Sequence, residues 1–153
     1  MLKRLLDFIL SISLILLFSP LILLFSLLIW MQDWYSPFYV SDRVGKDEKL
    51  YKMIKFRSMI INADITGVDS TAENDKRITS LGNFIRRYKI DELPNIFNIL
   101  LGQMSFVGPR PNVKRETDLY TNAEKVLLSV RPGITDLSSI IFSDEGDILK
   151  DSN

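Results

Sequence analysis

Asp91 and Glu92 stand side by side, and this pair of carboxylates is the strongest chemical candidate in the sequence. The pair lies where a helix is expected to begin. Pro94 disfavours helix at Leu93 and suits a first helical position. The positive end of a helix dipole stabilises an ionised carboxylate and attracts phosphate. The plainer reading is two first-turn acids that merely complement the dipole. Three features favour chemistry: a basic face precedes the pair, a very apolar helix follows it, and the commonest nucleophile arrangements are absent. The chain has no histidine and no cysteine. That excludes Ser-His and Cys-His nucleophiles and a disulfide framework, and it removes the usual zinc ligands. Transfer chemistry must rest on carboxylates, lysines, tyrosines or a hard metal such as magnesium.

Gly108-Pro109-Arg110-Pro111 is the second candidate. Two prolines pin the backbone around one arginine. A guanidinium held in this way binds phosphate with two prongs at a reduced entropy cost. The plainer reading is a stiff surface turn. Arg131-Pro132-Gly133 repeats the idea of an arginine beside a proline in a tight turn. Arg57, Arg86 and Arg87 are further candidates for a diphosphate site, each also readable as a solvated charge. Gly-rich phosphate loops of the common nucleotide folds are missing. With 19 basic and 19 acidic residues the chain has no net charge, which argues against a nucleic-acid partner.

The elements that must position these groups follow from periodicity. Residues 37 to 56 read as a β-hairpin, with Pro37-Phe38-Tyr39-Val40 and Leu50 to Ile54 as strand-like runs around a turn at Gly45-Lys46-Asp47. Residues 62 to 76 are polar and read as a loop or a loosely held helix. From Ile78, apolar residues at Leu81, Phe84, Ile85 and Tyr88 predict a helix, with Arg77, Arg86, Arg87 and Lys89 on the other face. A second helix is expected from Pro94 to a C-terminal Gly102. A third is expected from about Val113 to Val130, with Leu119, Ala123, Val126, Leu127 and Val130 inward.

No residue from Phe8 to Met31 is charged. About 24 helical residues reach about 36 Å, enough for a hydrocarbon core of about 30 Å. The run is too long for a signal peptide, and no small-residue cleavage site follows it. Ser19-Pro20 sits at its midpoint. Proline costs about 3 kcal/mol in a helix interior, and a neighbouring serine hydroxyl can replace the lost backbone donor in lipid. Lys3 and Arg4 before the run, and the basic cluster from Arg43 to Arg57 after it, favour the same side of the membrane. Trp30, Trp34, Tyr35 and Tyr39 would then lie at the interface. A re-entrant hairpin and an ordinary kinked crossing both fit these residues.

Four blocks in order resemble the bacterial sugar transferase family, the small monotopic polyprenyl-phosphate phosphoglycosyl transferases. They are Lys55-Phe56-Arg57-Ser58-Met59, Asp91-Glu92-Leu93, Met104 to Pro111, and Arg131-Pro132-Gly133-Ile134-Thr135. The likeness covers roughly residues 1 to 135. It implies a membrane helix broken at Ser19-Pro20 that re-enters the same face. It also implies Asp91 as a nucleophile forming a covalent phospho-sugar intermediate, and Glu92 in a supporting acid-base role. Magnesium beside Asp91 and the diphosphate is implied too, and the family arginine five residues before the dyad matches Arg86. Departures occur at Arg57, where many members carry Lys, at Gln103, where many have Asp, and at Asp136-Leu137, where many have Gly-Trp.

The fold expected from all this is mainly α with a short β-hairpin. It comprises an N-terminal re-entrant membrane helix-break-helix over residues 1–34 and a small α/β catalytic domain at the membrane interface over residues 35–153. Family chains commonly run several tens of residues further, so a C-terminally truncated domain is expected. The resemblance implies Asp91 and Glu92 as catalytic residues, with Asp91 also beside the metal. Substrate contacts are Arg57, Arg86, Pro109, Arg110, Pro111 and Arg131. The resemblance implies a UDP-sugar, polyprenyl phosphate, inner-membrane lipid and downstream glycosyltransferases as partners. The domain would face the cytoplasm. The alternative is an inactive or truncated homologue acting as a membrane-bound partner in polysaccharide assembly.

Overall fold

The computed structural model describes residues 2–63 and 75–136. Most of the expected 62–76 loop, and the acidic stretch from residue 137, lie outside the described residues. Helix α1 spans Leu2–Asp33, 32 residues. At Ser19-Pro20 the helical hydrogen bonding continues without a gap, so any bend there lies within one helix. The reason is local. Pro20 lacks the N–H that would reach the Leu16 carbonyl, and the Ser19 hydroxyl donates to that same carbonyl at 2.9 Å.

One stripe of α1 is buried: Asp7, Ser11, Ile22, Phe25 and Ile29. Most of its other large apolar side chains are exposed, including Leu16, Leu17 and Leu23. Strands β1 (Phe38–Val44) and β2 (Leu50–Phe56) form the expected antiparallel hairpin, with Phe38 opposite Phe56 and Val44 opposite Leu50. The turn passes through Lys46–Glu48, where Asp47 and Glu48 take positive φ. Helix α2 (Ser80–Arg87) starts at Thr79, whose side chain accepts from the Gly82 N–H. Helix α3 (Asn95–Leu100) follows Pro94 and ends at Gly102, which takes φ +82 as a C-terminal glycine should.

Two apolar clusters tie these elements together. Ile22, Phe25 and Ile29 of α1 pack with Phe56 of β2 and Ile85 of α2. Tyr51 and Met53 of β2 pack with Ile99 of α3 and Met104. Each fully buried side chain of this size contributes about 1.5–3 kcal/mol relative to exposure.

Strands β3 (Ser105–Val107) and β4 (Gly133–Thr135) pair in parallel, which the sequence pattern did not reveal. The pairing depends on two glycines. A Cβ on Gly108 would lie 2.3 Å from the Arg131 carbonyl oxygen, and one on Gly133 would lie 2.2 Å from the Gly108 nitrogen. The two proline-bearing arginine segments are thereby joined at the backbone.

The third helix expected over 113–130 is a correction. The chain instead forms α4 (Lys114–Thr117) and a 3₁₀ segment, Glu124–Ser129. Thr121 and Glu124 exchange hydrogen bonds in a capping box that starts the second piece. The residues expected inward face outward: Leu119 is 84% exposed and Val126 is 67% exposed.

The domain holds both ends of α1. At the first, Lys3 donates to the Val107 carbonyl at 2.7 Å, and Arg4 to the carbonyls of Ile99 and Leu100 at 2.6 and 2.8 Å. Asp7 accepts from the Ser105 hydroxyl at 2.9 Å and from the Phe106 N–H at 3.3 Å. At the last, the Arg57 guanidinium grips Asp33, with one N–H···O distance of 2.6 Å.

Candidate active site

The acid pair sits on a single 3₁₀ turn, Ile90–Glu92, between α2 and α3. Lys89 takes left-handed φ of 56 and turns the chain out of α2. The Leu93 N–H then closes on the Ile90 carbonyl at 3.0 Å. The dyad is therefore set one short turn ahead of α3, and the basic end of α2 lies directly before it in the chain.

Glu92 pairs with Lys55 of β2 at 2.6 Å, and both side chains are largely buried. Asp91 has a buried carboxylate oxygen, Oδ1, with no hydrogen-bond partner. Burial pushes its pKa above the usual carboxylate range. Lys55 pulls it back down, the charge of Glu92 pushes it up, and Arg86 and Lys89 pull it down. A desolvated carboxylate with an unpaired oxygen is reactive toward an electrophile and has few competing partners.

Asn98 fixes this geometry. Its side-chain amide donates to the Lys52 carbonyl at 2.7 Å, and its oxygen accepts from the Ile54 N–H at 3.1 Å. Helix α3 is thereby bonded to the free edge of β2, which carries Lys55. Buried amide networks of this kind rigidify a site when every member is satisfied.

The expected arginines divide into two groups. Arg86 stands close enough to the dyad to bias the charge of Asp91. Arg110 is exposed between Pro109 and Pro111, and the Pro109 carbonyl is pinned by the Gly133 N–H at 2.9 Å. Arg57 and Arg131 are engaged elsewhere. Arg57 holds Asp33 and donates to the Ser36 carbonyl at 2.9 Å. Arg131 donates to the Gly102 carbonyl at 2.7 Å, closing the end of α3. Ser19 and Pro20 lie within α1, away from these groups in the chain. Lys55 is the group the residue pattern did not single out. Its signal was a cation in an otherwise half-buried strand, two residues before Arg57.

Among the described residues there is no group of three or more His, Cys, Asp or Glu able to cage a metal. A hard cation at the dyad would need oxygen donors from a bound substrate.

The sequence profile of the bacterial sugar transferases matches residues 1–151. The chain is 38% identical to the exopolysaccharide production protein ExoY of Rhizobium meliloti, over 92% of this chain and 69% of that protein. It is 37% identical to the undecaprenyl-phosphate galactose phosphotransferase of Salmonella typhimurium, over 89% of this chain and 32% of that one. It is 35% identical to the UDP-N-acetylgalactosamine-undecaprenyl-phosphate N-acetylgalactosaminephosphotransferase of Aeromonas hydrophila, over 91% of this chain and 34% of that one. The chain thus spans about a third of the length of the latter two.

Proposed function

The chain belongs to the bacterial sugar transferase family, and on that premise we propose that it moves a sugar 1-phosphate from a UDP-sugar to polyprenyl phosphate and releases UMP. The observation that carries this reading is the unpartnered, desolvated oxygen of Asp91 beside a Glu92 fixed by Lys55. The names of the similar proteins, which act on undecaprenyl phosphate, point the same way.

The reaction has two displacements at one phosphorus. An Asp91 oxygen attacks the β-phosphorus of the UDP-sugar. The bond from that phosphorus to the bridging oxygen breaks, and UMP leaves with the electron pair. A phosphate oxygen of the lipid then attacks the same phosphorus, the acyl phosphate bond breaks, and Asp91 regains its charge. Glu92 accepts the acceptor's proton or orients its phosphate. Arg86 and Arg110 counter charge on the diphosphate.

Magnesium fits this donor set. It binds through one or two carboxylates plus substrate phosphates rather than in all-protein cages, and Asp91 offers an oxygen not committed to any donor. When bound it would supply charge neutralisation on the diphosphate.

The membrane arm completes the reading. An isoprenoid tail leaves lipid at about 0.8 kcal/mol per CH₂ exposed, so the site must come to the bilayer. Helix α1 would enter and leave the cytoplasmic face, bending at Ser19-Pro20. In support, one domain fastens both Arg4 and Asp33, at opposite ends of the helix. Outward Leu119, Val126 and Leu127 would rest on the headgroups. Single cysteines placed at positions 2 and 46 are expected to resist impermeant thiol reagents in intact cells. Labelling of one but not the other would mean a crossing and would sink the hairpin.

The function itself is tested by UMP release from a panel of UDP-sugars, with polyprenyl phosphate in mixed micelles. Multiple turnovers are expected with at least one donor, and only when acceptor is present. Silence across the panel, with folded protein and magnesium supplied, would defeat the proposal.

A further inference from the structure

We infer that Arg4 and Asp7, at the start of α1, are positioning residues that hold the acid pair and the Arg110 loop in a fixed relation. This rests on the transfer reaction proposed above. Asp7 adjoins a run with no charge from Phe8 to Met31, yet it is only 6% exposed. A buried carboxylate is costly unless it is hydrogen-bonded. Both of its bonds go to one target, the Ser105 hydroxyl at 2.9 Å and the Phe106 N–H at 3.3 Å. Those residues open β3, which leads directly into Gly108-Pro109-Arg110-Pro111.

Arg4 lies three residues earlier, about 4.5 Å along the same helix. It takes the Leu100 carbonyl, and the Ile99 carbonyl that also accepts from the Gly102 N–H, both in the last turn of α3. Helix α3 begins just after the dyad, so its last turn is rigidly linked to Asp91 and Glu92. Along the backbone, α3 and β3 are joined only by the segment from Leu101 to Met104. One turn of α1 bridges that segment from outside. The membrane arm thus braces the nucleophile against the arginine loop, and the site's geometry is set where the arm meets the domain.

Misplacing reacting groups by about 1 Å can cost on the order of 10²-fold in rate. The full-length chain in lipid nanodiscs should be compared as wild type, Asp7→Ala, Ser105→Ala, the double variant, Asp7→Asn and Arg4→Lys. Ser13→Ala is the control, since that hydroxyl bonds only within α1, to the Ile9 carbonyl at 3.0 Å. Steady-state UMP release is measured per folded, membrane-incorporated molecule. Asp7→Ala is expected to lower kcat by about 10- to 100-fold, with KM for the UDP-sugar changed less than about twofold. Ser105→Ala should lower kcat in the same direction. The double variant should be no worse than Asp7→Ala alone, because the bond that Ser105→Ala removes is already lost with Asp7. Asp7→Asn and Arg4→Lys preserve packing and are expected to fold with intermediate kcat, which keeps the test open should the alanine variants not fold. Lower melting temperature with unchanged kcat per folded molecule, in the alanine or the conservative variants, would overturn the inference and leave a purely structural contact. Absence of UMP release by wild type would instead overturn the transfer reading, and this inference with it.

Discussion

Asp91→Asn is expected to abolish UMP turnover, by on the order of 10⁴-fold or more, and to leave no protein-bound phosphate from a β-³²P-labelled UDP-sugar. Asparagine keeps the shape of the side chain and its hydrogen-bonding oxygen. It loses the charge and the nucleophilic oxygen, so binding and folding survive while the first displacement does not. The same variant should melt at a higher temperature than wild type at neutral pH. Burial raises the Asp91 pKa in the folded chain. A group whose pKa is higher folded than unfolded holds its proton better in the folded chain. Its stabilising contribution is present in acid, below the unfolded value, and is lost as pH rises through the folded value. Above the unfolded value, losing the Asp91 proton therefore costs more in the folded chain than in the unfolded one, and a neutral amide removes that cost. Activity and stability should move in opposite directions, as happens when a site is held at the expense of the fold. Retention of full turnover, or of a labelled adduct, would defeat the assignment of Asp91 as nucleophile.

The dyad, the hairpin and the positions of α2 and α3 were legible because each rests on a local signal. Strand-like runs on either side of the Gly45-Lys46-Asp47 turn marked β1 and β2, Pro94 and Gly102 bracketed α3, and adjacency marked Asp91-Glu92. The region after Val113 misled because its apolar residues recur at helical spacing. The competing signal, Thr121 three residues before Glu124, is a capping box that restarts the chain and turns those residues outward. The β3–β4 pair escaped because two three-residue strands carry almost no periodicity. Their contact is non-local and set by the close approach of Gly108 and Gly133. The arginines illustrate the same limit. Neither spacing nor composition discloses that Arg57 reaches back to Asp33, or that Arg131 reaches Gly102. A guanidinium's partner is a tertiary fact. The pairing of Lys55 with Glu92 is equally tertiary, since it depends on α3 being bonded to β2 through Asn98.

Glu92→Gln is expected to lower kcat by about 10²-fold or more, the scale of a lost general base, while moving the acid limb of the pH profile the unexpected way. In wild type the limb of kcat/KM, which reports the free enzyme, should lie above the usual carboxylate range, because burial and the charge of Glu92 both raise the Asp91 pKa. Substituting Glu92 removes the like charge and also releases Lys55 from its 2.6 Å ion pair. The freed ammonium then favours ionised Asp91 more strongly. Both changes lower the Asp91 pKa, so the limb should shift to lower pH even as the plateau falls. A variant that lost only stability would show neither the shift nor a reduced plateau per folded molecule. Lys55→Met tests the converse: with the cation that most lowers the Asp91 pKa gone, the limb should move to higher pH. If Glu92→Gln leaves the plateau intact, Glu92 has no acid-base role. If the plateau falls but the limb stays, the coupling among Lys55, Glu92 and Asp91 is not what sets the nucleophile's charge.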